Sequence, residues 1–302
     1  MKRINPLQEG SRIALAATAR KVSPEEMTPA INMLQSWGLK VVIPDGLYAQ
    51  ENQMAGTDEH RASVLQTLID DDTIDAILCV RGGYGTVRMI DRVDFSHFMA
   101  HPKWIIGYSD VTVLHSHIQR NCGLPTIHGI MPINFTGEPS PATESLRQFL
   151  FGQSLHYTFD PHPFNRIGTA TAPVVGGNLS ILYSLLGSAS DIDTEDKILL
   201  IEDLDEYLYH IDRMMMALKR AGKLAKLKGL LVGAMSDMHD NSIPFGRTAE
   251  EIVRDAVSEY DYPVCFDAHF GHIGEKNLAI PLGTEMRLSI GNKGICALST
   301  LQ

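Results

Sequence analysis

The sequence predicts an α/β protein of two domains, the first a parallel sheet with helices on both faces. Three observations carry that expectation. Apolar runs alternate with helical patterns in a βαβαβ rhythm through the first half. Two of those runs, Ala76-Ile77-Leu78-Cys79-Val80 and Trp104-Ile105-Ile106, lead straight into the turns Arg81-Gly82-Gly83-Tyr84-Gly85 and Gly107-Tyr108-Ser109-Asp110. Finally, the helical period is lost from Gln153 to Pro173, where Pro161, Pro163 and Gly168 punctuate a polar stretch. That predicts an N-terminal domain over 1–152, a linker over 153–173 and a mixed α/β C-terminal domain over 174–302.

Arg12 to Ala17 reads as the first strand. Ser23-Pro24-Glu25-Glu26 starts a helix, with Ser as cap, Pro at the first helical position and Glu positioned to close a capping box. That helix runs to about Trp37 and stops at Gly38. Lys40 to Ile43 is the second strand, Glu59 to Asp70 a helix, and Ala76 to Val80 the third strand. Helical patterns follow each Gly-rich turn, from Thr86 to Ile90 and from Val111 to Gln119. Pro125 to His128 is a short strand, and Ser140-Pro141 opens a helix ending near Gly152. Beyond the linker, Gly176-Gly177-Asn178 opens a helix through Leu186. Lys197 to Ile201 is a strand ending in Glu202-Asp203, Glu206 to Ala221 a helix, and Gly229 to Ala234 a strand. Thr248 caps a helix with Glu251 as its capping-box partner, and a strand begins at Val264. The tail from Glu285 to Leu301 alternates with Gly turns and reads as antiparallel.

A formal charge of −10 with no basic stripe argues against nucleic acid or an anionic membrane as partner. The four cysteines, Cys79, Cys122, Cys265 and Cys296, are far apart and read as free thiols of a reducing compartment. No segment approaches the roughly 20 apolar residues that span a bilayer. Met1-Lys2-Arg3 is followed by a mostly polar stretch and by an apolar run too short for a signal peptide, so a cytoplasmic location is expected.

The two turns fall at the carboxyl edge of one sheet, where open α/β sheets bind ligands. Glycines there let backbone N–H groups approach a ligand, and Ser109 on a sharp turn before a helix offers an exposed hydroxyl. The same residues also describe two Gly-rich βα turns with a helix-capping serine. In the second half, Glu202 closes a strand, but Asp203, Asp205 and Glu206 crowd beside it, and spacing leaves all four open. These carboxylates equally suit a solvated helix start. His272 lies among glycines in Ala268-His269-Phe270-Gly271-His272-Ile273-Gly274, a loop suited to a base or to a surface role. Serine is a weak nucleophile that needs a base within reach, and the base needs a carboxylate to hold its tautomer. A site drawing on both halves lies in the cleft between them.

Five segments taken together, Val80 to Gly85, Gly107 to Asp110, Gly176-Gly177-Asn178-Leu179, Ile201-Glu202-Asp203 and Phe270-Gly271-His272, resemble the LD-carboxypeptidase family of serine peptidases, which includes the microcin-immunity hydrolases. Order and spacing agree from about Arg12 to Gly283. The resemblance implies Ser109 as nucleophile, Glu202 as the acid and His272 as the base. It also implies a C-terminal domain containing a small β-barrel, a homodimer, and no metal or organic cofactor. For the oxyanion hole, the N–H groups of Gly83 and Asp110 are the expected donors, with Gly82 as the alternative to Gly83. The implied substrate is a muropeptide tetrapeptide losing its terminal D-alanine at an L,D bond during cell-wall recycling. Gly82, Tyr84 and Arg81 are candidate substrate contacts, and Arg81 and Arg88 are both candidates for the terminal carboxylate. Departures from the family pattern lie at Ala16-Ala17-Thr18-Ala19-Arg20, where a Pro-Ser turn is common, and at His128-Gly129, where Gly-Pro is common.

Other classes fit less well. The Gly-rich turn lacks the last glycine of a dinucleotide fingerprint, and no Gly-Lys-Ser/Thr of a P-loop is present. Twelve histidines include no His-Glu-x-x-His, and His115 and His117 do not share a helix face. An inactive binding protein on the same fold is disfavoured by the complete triad. The microcin-immunity type, which cleaves an aminoacyl–nucleotide amide, is the main alternative.

Overall fold

The computed structural model describes residues 4–301. Five strands in the first half, β1 (Arg12–Ala16), β2 (Lys40–Val42), β3 (Ala76–Cys79), β4 (Trp104–Gly107) and β5 (Thr126–His128), pair in parallel in the order β2-β1-β3-β4-β5. The order reverses between β1 and β3, which places a crevice at the carboxyl ends of those strands. Six helices connect and flank them: α1 (Pro24–Ser36), α2 (Asp58–Asp70), α3 (Thr86–Met89), α4 (Ser96–Ala100), α5 (Thr112–Asn121) and α6 (Pro141–Leu150). Side-chain alternation splits the core in two. Ile13, Leu15 and Leu78 pack on one face with Met27, Leu34 and Leu146. Ala14, Ala16, Ile77 and Cys79 pack on the other with Leu65, Ile69, Phe98 and Leu114. The predicted α1 cap is present: Ser23 Oγ accepts from Glu26 N, and the Glu26 carboxylate accepts from Ser23 N. Such a cap contributes about 1 kcal/mol.

The second half adds β6 (His156–Phe159), β7 (Gly168–Asn178), α7 (Leu179–Ser184), β8 (Ile198–Leu204), α8 (Leu208–Arg220), β9 (Gly229–Ser236), α9 (Ala249–Ala256) and β10 (Val264–Cys265). The remaining strands are β11 (Ile280–Leu282), β12 (Glu285–Ile290) and β13 (Cys296–Thr300). Seven of these strands form one mixed sheet in the order β10-β9-β8-β7-β12-β13-β6. Helices α8 and α9 cover one face, where Ile211, Met215, Ile252 and Val253 meet Leu199, Ile201, Leu230 and Val232. The other face folds over its own antiparallel part, so that Val174, Ile198 and Leu200 pack against Phe159, Leu288 and Leu298.

Three expectations change. The expected small barrel is not closed by strand pairing among the described residues. The C-terminal sheet's order has two ends, and among the described residues an isolated bridge between Arg166 and Val264 brings the β6–β7 connection to the β10 edge. The stretch 153–173 is not a plain linker, because it supplies β6 and the first half of β7. Along Gly168 to Pro173 the buried positions are only Ala170 and Ala172, alternating with exposed Thr169 and Thr171, so the strand lacks the bulky residues that announce one. Gly176-Gly177-Asn178 closes β7 as well as opening a helix: Asn178 caps α7, its side chain accepting from Ile181 N, but α7 ends at Ser184, short of Leu186.

β11 belongs to the first sheet, where it pairs antiparallel with β5, Ile280 opposite His128. The chain therefore returns from the second half to close the first sheet's edge, and the loop that carries His272 lies just before that return.

Candidate active site

Ser109 follows β4 at the carboxyl edge and opens a short 3-10 turn, Ser109–Val111, that runs into α5. Its φ is +62°, in the left-handed region that a non-glycine residue occupies at a cost of about 1–3 kcal/mol. The strained turn is held from below. The buried carboxylate of Asp110 accepts from Thr86 N at 2.8 Å, which ties the serine turn to the start of α3 and so to the glycine-rich loop. Burial pushes the Asp110 carboxyl above its ordinary range, against that hydrogen bond.

The two turns touch. A Cβ on Gly82 would sit 2.9 Å from Ser109 Cβ and 3.0 Å from its Oγ, so only glycine lets the loop approach the hydroxyl. Gly83 has φ +110°. Among the described residues, neither the amide N–H of Gly83 nor that of Asp110 has an acceptor. Two unpaired amides thus flank the serine.

Glu202 lies at the end of β8, fully buried, and its Oε2 accepts from His272 Nδ1 at 2.7 Å. Only one ring nitrogen of His272 is engaged this way, leaving Nε2 for chemistry. Two contacts fix the histidine's segment: Ser236 Oγ donates to His272 O at 2.9 Å, and Gly271 N donates to Asn277 Oδ1 at 2.8 Å. Burial opposes a charge on the His272 ring, but the Glu202 hydrogen bond and the charges of Glu202 and Asp203 outweigh it. The net effect raises the pKa above the ordinary histidine value. Ser109 Oγ itself has no hydrogen bond to His272. Nucleophile–base bonds of this kind commonly tighten only around substrate. Tyr108, the residue before Ser109, packs on the histidine, its ring centroid 4.9 Å from that of His272.

The carboxylates that spacing left open separate by partner. Asp203 accepts from Asn178 Nδ2, Ser180 N and Leu204 N at 3.0, 2.8 and 2.9 Å, a structural junction. Burial first, then the charge of Glu202, pushes its carboxyl up to about 7. Asp205 pairs with His239 and Glu206 with His210, both away from His272. Glu202 alone meets His272.

The candidate substrate contacts are less uniform. Tyr84 stands 48% exposed beside Gly83. Arg81 is 3.5 Å from the Glu26 carboxylate and donates to Lys21 O at 3.4 Å, and Arg88 pairs with Asp58 at 2.8 Å. Both arginines are therefore already engaged. Sequence reading marked His128 only as a departure. It is fully buried, its ring centroid 5.7 Å from that of Tyr108 and the Asn277 amide beside it, and burial pushes its pKa down to about 4. Asn277, which orients Gly271, carried no signal in the sequence because it acts through a loop amide. A grouping of possible metal ligands, Asp72 with His97 and His101, precedes β3 and β4 at the opposite, amino edge of the sheet.

Comparison with known proteins finds relatives along nearly the whole chain. A family described as the LD-carboxypeptidase N-terminal domain matches residues 13–129, and the corresponding C-terminal domain matches residues 171–288. A probable murein peptide carboxypeptidase of Bacillus subtilis (strain 168) is 36% identical over 296 residues, spanning 95% of this chain and 91% of the relative. A murein tetrapeptide carboxypeptidase of Pseudomonas aeruginosa is 26% identical over 283 residues, spanning 90% and 91%. The fold is shared with a crystal structure of muramoyltetrapeptide carboxypeptidase from Oxalobacter formigenes, at TM-score 0.87 and 23% identity, covering 97% of this chain and 99% of that one. It is also shared with MccF in complex with glutamyl sulfamoyl guanosine, at TM-score 0.85 and 23% identity, covering 98% of each. With both domains matched and a relative 36% identical along nearly its whole length, the chain belongs to the LD-carboxypeptidase family of serine peptidases.

Proposed function

We propose that this serine peptidase removes the terminal D-alanine from muropeptide tetrapeptides by cutting an L,D-amide bond through an acyl-enzyme, as a step in cell-wall recycling. The observation that carries the chemistry is the buried Glu202–His272 pair beside the strained Ser109 turn. The substrate class rests on relatives named for murein peptides. His272 Nε2 takes the proton of Ser109 Oγ as it attacks the scissile carbonyl, and Glu202 holds the imidazole in one tautomer and stabilises the imidazolium. The unpaired amides of Gly83 and Asp110 receive the developing oxyanion. Loss of one such donor typically costs about 2.7–4 kcal/mol in the barrier. The imidazolium then protonates the leaving D-alanine amine, and water releases the acyl group.

A second reading has support from the structural neighbours, one of which holds an aminoacyl sulfamoyl nucleoside. Tyr84, exposed next to Gly83, is the aromatic side chain available to stack on a base. Offering the purified protein a muropeptide tetrapeptide and an aminoacyl sulfamoyl adenosine side by side separates the two, since only one is expected to be turned over efficiently.

Three kinds of measurement test this reading, the first by substitution. Ser109→Ala lowers kcat on the order of 10⁴–10⁶-fold while the circular dichroism spectrum and melting temperature stay close to wild type. Glu202→Gln is severe and Asp203→Asn much milder in kcat. The reverse order would move the orienting acid to Asp203.

The acid limb of the kcat/KM–pH profile reports His272. The base works as the neutral imidazole, and its folded pKa is raised, so activity rises with pH through a value above about 6.5. In Glu202→Gln that limb moves to lower pH, because the interaction favouring the charged ring is gone. A limb that stays in place in the variant would detach Glu202 from His272.

Stereochemistry is the third. Attack requires the carbonyl about 3–3.5 Å from the nucleophile, and a misplacement of about 1 Å costs about 10²-fold. With the carboxylate anchored, an L-alanine terminus turns its methyl into the wall or the carbonyl away from Ser109. The tetrapeptide ending in D-alanine is cleaved about 10²-fold more efficiently than its L-alanine epimer and faster than the pentapeptide ending in D-Ala-D-Ala. Equal cleavage of the epimers, or a faster pentapeptide, contradicts the L,D assignment.

A further inference from the structure

A carboxypeptidase must recognise a free terminal carboxylate, and that calls for a cation that is not already neutralised. Around the crevice between β1 and β3 the cations sort cleanly. Arg61 is buried and paired with Asp58, and its Nη1 donates to Thr18 O at 2.7 Å. Arg88 shares Asp58, and Arg81 faces Glu26. Lys21 Nζ donates to Gln50 Oε1 at 3.3 Å. Arg20 differs. Its side chain is exposed and, among the described residues, its guanidinium has neither a carboxylate nor a carbonyl partner.

Its position is set by contact with the reacting loop. The site of a Cβ on Gly83 would lie within 3 Å of Arg20 Cδ and Cγ, at 2.2 and 2.6 Å, with Nε at 3.6 Å, so the arginine stem lies directly across Gly83. The neighbouring glycine, Gly82, is the one that meets Ser109, and consecutive Cα atoms are about 3.8 Å apart. The backbone under Arg20 is fixed on both sides. Ala55 N donates to Ala19 O at 3.0 Å, Lys21 N donates to Gln53 O at 3.1 Å, and Thr86 Oγ1 donates to Thr18 Oγ1 at 3.0 Å. A guanidinium fork on a rigid segment, without an internal counterion, suits bidentate capture of a carboxylate and loses little freedom in doing so.

We infer that Arg20, lying over Gly83 beside Ser109, binds the terminal carboxylate of the substrate and sets the enzyme's preference for a free C-terminus. This deepens the muropeptide reading and rests on it. It also replaces Arg81 and Arg88 as the anchor, because both are committed to carboxylates of the protein.

The test compares a tetrapeptide ending in D-alanine with the same peptide ending in D-alaninamide. The substitution Arg20→Met keeps an unbranched stem over Gly83, and Arg20→Lys keeps the charge but not the fork. Wild type is expected to prefer the acid over the amide by at least about 30-fold in kcat/KM, in line with a charge-assisted pair. In Arg20→Met that preference collapses to under about threefold, and Arg20→Lys falls between. The acid's loss appears chiefly in KM. If Arg20→Met, with an unchanged melting temperature, keeps the wild-type preference, this inference is overturned and the muropeptide reading stands. If wild type cleaves neither peptide, the muropeptide reading fails and takes the inference with it.

Discussion

The geometry of the site depends on one hydrogen-bonded junction between the two halves. Asn178, at the end of β7, donates its backbone N–H to Thr112 Oγ1 at 3.0 Å and its side-chain amide to Asp203 Oδ1 at 3.0 Å. Thr112 opens the helix that follows Ser109, and Asn178 lies opposite Glu202 in the β7–β8 register. The Ser109 turn and the strand that carries Glu202 are therefore held through a single buried residue. Gly177 permits the approach: a Cβ there would lie 2.5 Å from Thr112 Oγ1. The His272 loop is tethered separately. Ala234 N donates to Phe270 O at 2.9 Å within the second half, and β11, only a few residues after His272, is stitched into the first sheet. Two independent attachments thus bring three side chains from distant positions to one sheet edge.

Charge is handled by burial with a partner. Glu202 has no exposure, and His272 Nδ1 gives its Oε2 the hydrogen bond that water cannot supply there. The pair has opposite consequences for activity and stability. Because the folded pKa of His272 is raised, its contribution to stability is fully present below the unfolded pKa and is lost as pH rises through the folded one. In the proposed mechanism the base is the neutral ring, so activity rises over that same interval.

Much of this was legible in the chain. The α/β class, the parallel order of the first half, the capping boxes of α1 and α9 and the serine turn follow from patterns that local physics enforces. The choice of Glu202 came from family resemblance, since four neighbouring carboxylates are equivalent until their partners are known. Asp203, Asp205 and Glu206 proved to serve Asn178, His239 and His210. What stayed hidden was non-local or weakly hydrophobic. β7 carries alanine and threonine where a strand usually carries branched residues, and β11 joins a sheet whose other strands lie more than 150 residues earlier. Arg20 was visible only as a departure at the first turn. Sequence cannot say that its nearer-looking competitors, Arg81 and Arg88, are engaged by Glu26 and Asp58.

The central claim is acyl transfer through a common enzyme-bound intermediate. It is tested most directly by product partitioning between water and added hydroxylamine, using tetrapeptides that share the acyl part but release different D-amino acids. A shared acyl-enzyme predicts one ratio of hydroxamate to free tripeptide for every leaving group, because the leaving group has gone before the partition. A ratio that changes with the leaving group, or hydrolysis with no hydroxamate at saturating hydroxylamine, would mean that water attacks the substrate directly and would contradict the account.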